Sequence, residues 1–73
     1  MNDLEELDVV ALLHDLSEHG LVRGQIGTVV MVHSPHHFEV EFWDRDGQTI
    51  ALLALPSNAL MRIHRDAAGG RLN

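Results

Sequence analysis

The chain has no cysteine, no lysine and no tyrosine. Without thiols it can build neither a disulfide framework nor a thiolate metal site, so packing or association must hold the fold. Without lysine, its five cationic residues are all arginines, set against eleven acidic ones. The resulting formal net charge of -6 repels phosphate backbones, and nucleic acid is not an expected partner. No apolar run approaches the roughly 20 residues that cross a bilayer, so a membrane-spanning helix is not expected either. The opening Met1-Asn2-Asp3-Leu4-Glu5-Glu6 lacks the basic and apolar segments of a secretion signal, which makes the cytoplasm the expected location. What is present fits one small soluble domain. The chain has 73 residues, of which 45% are apolar and 22% charged, and a chain of this length buries only roughly 60% of its unfolded surface.

Residues 1–7 read as an acidic lead. The run Asp8-Val9-Val10-Ala11-Leu12-Leu13 begins with β-branched residues and predicts a strand. Its rival is a helix from Leu4, because Asp3 and Glu6 have capping-box spacing and Leu4, Leu7 and Ala11 share a helical face. Residues His14 to Gly24 read as a long irregular connection pinned by Leu16 and Leu21. Thr28-Val29-Val30-Met31-Val32-His33 is apolar on both faces, as a central strand is. Ser34-Pro35-His36 supplies a turn. In the next strand Phe38, Val40 and Phe42 alternate with His37, Glu39, Glu41 and Trp43, so one face is core and the other wet. Asp44-Arg45-Asp46-Gly47 turns the chain into a returning strand, Thr49 to Leu55, because Asp46-Gly47 offers the positive φ of a short hairpin. Pro56 stops that strand, one helical turn follows, and Leu60 to His64 forms a last short strand. The stretch 65–73 reads as a flexible tail.

Five short strands with a long first loop and one helical turn before the last strand specify an all-β, five-stranded SH3-like small barrel over residues 8–64, in which closure would protect the sheet edges. The blocks Asp8 to Leu13, Gly20 to Val30, Phe38 to Phe42 and Ala51 to Pro56 carry a further signal. In their order and spacing the sequence resembles the bacterial domain of unknown function 4926 family. That resemblance implies a small SH3-like barrel and brings no activity, cofactor or catalytic residue with it. Arg23-Gly24-Gln25-Ile26-Gly27-Thr28-Val29-Val30 is also similar to KOW-type barrels of transcription and translation factors. A glycine before a valine-rich strand, however, serves wherever a long loop enters a barrel.

Six histidines invite a metal reading, with His33, His36 and His37 grouped around one turn. If that turn caps a hairpin, His33 and His37 face each other on neighbouring strands. Structural zinc normally takes four protein ligands, so these three are candidates for incidental metal only, and no cofactor is expected. Gly24-Gln25-Ile26-Gly27 has the spacing of a KH-type clamp but only Arg23 as a basic neighbour. Asp44-Arg45-Asp46-Gly47 starts like a calcium loop, but Thr49 and Leu55 stand where glycine and glutamate are needed. Ser17, Ser34 and Ser57 lie in turns with no oriented base in view, and no catalytic residue is expected.

Trp43 falls on the wet face of its strand, where it serves either as a core residue that has turned inward or as an interface anchor. Val29 to Val32 and Ile50 to Leu55 are apolar on both faces, although a small barrel has only one inside. Trp43, Met31, Val29, Leu53 and Leu55 are therefore the expected protein-binding residues. The function read from this pattern is a non-catalytic interaction module, first of all a homodimer formed by packing or by strand exchange. The alternative is a small acidic antitoxin or immunity-like protein that neutralises a basic partner.

Overall fold

A computed structural model of the protein describes residues 4–65. Its strands are β1 (Val9–Leu12), β2 (Ile26–Ser34), β3 (His37–Trp43), β4 (Thr49–Pro56) and β5 (Leu60–His64). Short 3-10 turns at Ser17–His19 and Ser57–Ala59 are the only helical segments among the described residues. All strand neighbours are antiparallel and the order across the sheet is β4-β3-β2-β1-β5. The expected five strands, the long first loop, which carries a 3-10 turn of its own at Ser17–His19, and the helical turn before the last strand are present. Hydrogen-bonded closure is not: β4 and β5 remain the two edges of an open sheet. Five-residue β5 spends its length against β1, and the turn at Ser57–Ala59 carries the chain from one edge to the other without pairing them.

The alternation in β3 sets the core. Phe38, Val40 and Phe42 are fully buried and meet Val29 of β2, Val10 and Leu12 of β1, Leu55 of β4 and Leu60 of β5. Each such side chain contributes about 1.5–3 kcal/mol by leaving water. From the long loop, Leu21 joins this core, and Leu16 and Leu21 exchange main-chain hydrogen bonds of 3.0 and 3.2 Å, so the expected pin exists. Partner residues shift between Val29 and Met31 and again between Val32 and Ser34 of β2. These bulges bend β2 enough to serve both β1 and β3.

The segment before β1 is not a helix. Leu7 has φ +73°, in the left-handed region, and a right-handed helix cannot pass through it. The Leu7 N–H donates to the Val29 carbonyl at 2.7 Å and the Val29 N–H to the Asp8 carbonyl at 3.0 Å, which ties the lead to β2. Leu4 is thereby placed in the core. Asp8 is fully buried: one carboxylate oxygen accepts the Glu5 N–H at 2.9 Å and lies 3.6 Å from Arg62 Nη1, while Oδ1 has no hydrogen-bond partner among the described residues. Arg65 follows β5 and reaches Glu5 at 3.4 Å. The rest of the expected flexible tail, 66–73, lies outside the described residues.

Candidate protein-binding surface

The surface is built on the outward side of β2, β3 and β4. Because Phe38, Val40 and Phe42 point inward, pleating sends His37, Glu39, Glu41 and Trp43 outward. Across the β3–β4 ladder Glu39 faces Ala54, Glu41 faces Leu52 and Trp43 faces Thr49. β4 therefore shows Ile50, Leu52 and Ala54 to solvent and turns Ala51, Leu53 and Leu55 inward. On the other flank Met31 of β2 stands opposite Glu39. Leu52 is 54% and Met31 51% exposed, and Ile50 and Val30 are exposed as well. The two glutamates between these flanks are held: Glu39 accepts from His33 Nε2 at 2.6 Å and Glu41 from the Thr49 hydroxyl at 2.5 Å.

Of the residues expected at an interface, Met31 is on this surface. Trp43 is half-buried at its end. Its carbonyl accepts from the Gln25 side chain at 3.5 Å, and the residue borders a shallow cleft with Val22, Arg23 and Arg45. Val29 and Leu55 are corrections: they face Val40 and Phe38 across the ladders, belong to the core and cannot form a surface of this chain. Leu53 also points inward, opposite Val40, and packs against the core half-buried. A strand apolar on both faces hides its phase, so nothing within the sequence of β4 separates the inward Leu53 and Leu55 from the exposed Ile50 and Leu52. Ile50 and Leu52 were missed for that reason. The phase of β3 carried across the turn does not find them: Thr49 faces the outward Trp43, alternation from Thr49 would turn Leu52 inward, and the extra residue at Ile50 reverses that phase.

His33 and His37 do not face each other. The bulge between Val32 and Ser34 sets His37 opposite Ser34 and sends His33 to Glu39 instead. His36 sits in the turn, its N–H donating to Ser34 Oγ at 3.2 Å. Among the described residues no three His, Cys, Asp or Glu side chains gather where they could hold a metal ion. The Ser34 hydroxyl is engaged in its own turn, and Ser17 and Ser57 open the two 3-10 turns. No described helix is long and apolar enough to cross a membrane.

Against known proteins, no curated protein and no solved structure matches the chain. The model of the domain of unknown function DUF4926 matches residues 6–62, from the turn that precedes β1 to the middle of β5, and the chain thus belongs to that family.

Proposed function

We propose that the chain is a non-catalytic protein-interaction module of the cytoplasm that binds through the outer side of its β2-β3-β4 sheet. The observation that carries this reading is the exposure of Met31 on one side, and Ile50 and Leu52 on the other, of the Glu39–Glu41 row. In a chain this short each apolar side chain left outside is missing from the core, and clustered exposure of this kind marks contact with protein. The fixed glutamates add polar groups that set orientation. The inventory points away from catalysis, since cysteine, lysine and tyrosine are absent from the sequence and Ser34 is spent on its turn. The net charge of -6 supports a second reading, in which the same surface neutralises a basic partner as an antitoxin or immunity-like protein would.

The test is capture from native cells on the immobilised chain, run beside Leu52→Lys and Met31→Glu, with bound proteins identified by mass. Proteins retained by the parent and lost with either variant support the module. Should both variants retain the same set as the parent, the outer side of the sheet is not the binding surface and the reading falls. One basic protein dominating the parent's set favours neutralisation.

A further inference from the structure

We infer that the partner at this surface is a second copy of the chain, joined edge to edge through β4 in an antiparallel register centred on Leu52. The inference rests on the interaction reading above and adds to it the partner and the register. β4 is an edge of the sheet, and an edge strand presents unpaired main-chain groups. Which groups are unpaired follows from the ladder. The Ser57 N–H donates to the His36 carbonyl at 2.8 Å, so in the antiparallel alternation Leu55, Leu53 and Ala51 turn their main-chain groups toward β3. Those of Leu52 and Ala54 turn outward, and the alternation stops at Ala51, because Ala51 faces Phe42 and Thr49 faces Trp43, which leaves Ile50 as the extra residue of a bulge. Pro56, the one residue of β4 without an N–H, falls in the outward set at the end of the strand, where its missing donor costs nothing.

A twofold axis at Leu52 sets Leu52 against Leu52 of the second copy and Ile50 against Ala54 of the second copy. It is the register that pairs the outward donor and acceptor of Leu52 with those of its mate, and it brings the exposed side chains of Ile50, Leu52 and Ala54 of both copies together.

Charge favours the same partner. A chain of net charge -6 repels its own copies, yet residues 47–61 contain no charged or histidine side chain, and β4 lies wholly within them. The nearest acidic groups on the outer face are Glu39 and Glu41 on β3. At about 4.8 Å per strand, Glu41 and its symmetry mate stand about 14 Å apart, beyond the Debye length of about 8 Å at physiological salt. At each end of the joined strands, the turn bearing Asp44 and Asp46 of one copy comes to the end bearing His36 and His37 of the other, because Pro56 faces His37 within each chain.

The absence of cysteine makes the register directly readable. In a hydrogen-bonded antiparallel pair the Cα atoms are about 5.5 Å apart, inside the range of about 4.4 to 6.8 Å that a disulfide spans. Leu52→Cys should therefore oxidise to a covalent dimer. Ile50→Cys alone should not, because its symmetry mate is four residues away along the strand, at about 14 Å. A mixture of Ile50→Cys and Ala54→Cys should cross-link to each other. The expected result is about tenfold more covalent dimer for Leu52→Cys than for Ile50→Cys, as the geometry of the bond requires. Light scattering of the parent chain should give about twice the 8.1 kDa chain mass, surviving a hundredfold dilution.

Two results overturn the inference: a mass of one chain at every concentration, or a dimer whose Leu52→Cys form cross-links no better than Ile50→Cys. The second would leave strand exchange through the loop at His14 to Gly24 as the route. The capture experiment separates the two readings. A single-chain mass with capture abolished by Leu52→Lys removes the second copy and keeps the module, whereas a single-chain mass with capture unchanged removes both.

Discussion

Gly27 sits at the crossing of three strands, facing Val10 of β1 and Phe42 of β3. A Cβ placed there would lie 2.8 Å from the Glu41 carbonyl oxygen, from Phe42 Cδ1 and from Val40 Cγ1. The first of these is main chain and the others are closed into the core, so none can move away cheaply. Gly27→Ala is expected to cost about 1–3 kcal/mol, in the range of overpacked cores. Urea unfolding should show this as a lower midpoint at unchanged slope. A loss below about 0.5 kcal/mol would mean that the strands part to admit the methyl group. Asp8 shows the opposite limit of reading single residues. Aspartate is seldom buried unless paired, and its cation, Arg62, comes from the other end of the described chain. Nothing adjacent to Asp8 in the sequence announces the pairing. Leu4 was equally hidden, because its burial depends on the left-handed turn at Leu7, and leucine gives no hint of that conformation.

Among the elements, the β3–β4 hairpin shows how a turn is assembled from local signals. The Asp44 carboxylate accepts the N–H groups of Asp46 and Gln48 at 2.9 and 3.0 Å, and Gly47 closes the turn at φ +83°. Beyond its two chain neighbours nothing lies within 4 Å of where a Cβ would stand on Gly47, so the cost of a side chain there is conformational. Gly47→Ala should lose about 1–2 kcal/mol and Gly47→Asn clearly less, since asparagine enters the left-handed region more readily. Equal stability of the two variants in denaturant unfolding would show that the turn has relaxed out of that region. This hairpin and the strands beside it were legible because alternation, turn chemistry and the stop at Pro56 are all local. The bulges of β2 were not, since they answer to a demand set elsewhere: one strand must pair with β3 along most of its length and with β1 at its start. His33 was misplaced for that reason. The outward residues of β4 were misassigned because phase in a strand apolar on both faces is inherited from its neighbour. The candidate surface was thus half legible, with Met31 and Trp43 visible from β2 and β3, and Ile50 and Leu52 visible only once the register was known.

At the scale of the whole molecule, the sheet order places first and last strands side by side, and Glu5 and Arg65 meet beside that pair. The other three pairings join strands that are consecutive in the chain, whereas the β1–β5 pairing must close a loop running through nearly every other element. β4 and β5, although consecutive, do not pair. Joining Arg65 to Leu4 with a short glycine-serine linker and opening the chain between Ser57 and Asn58 would reorder the strands as β5, β1, β2, β3, β4. Every pair would then be a neighbour in sequence, and the domain would become a simple meander. Folding rates rise as contacts become local, because less loop-closure entropy is lost before the contacts form. The permuted chain should therefore refold faster than the parent in stopped-flow mixing. An unchanged rate would place the union of β1 and β5 after the folding barrier.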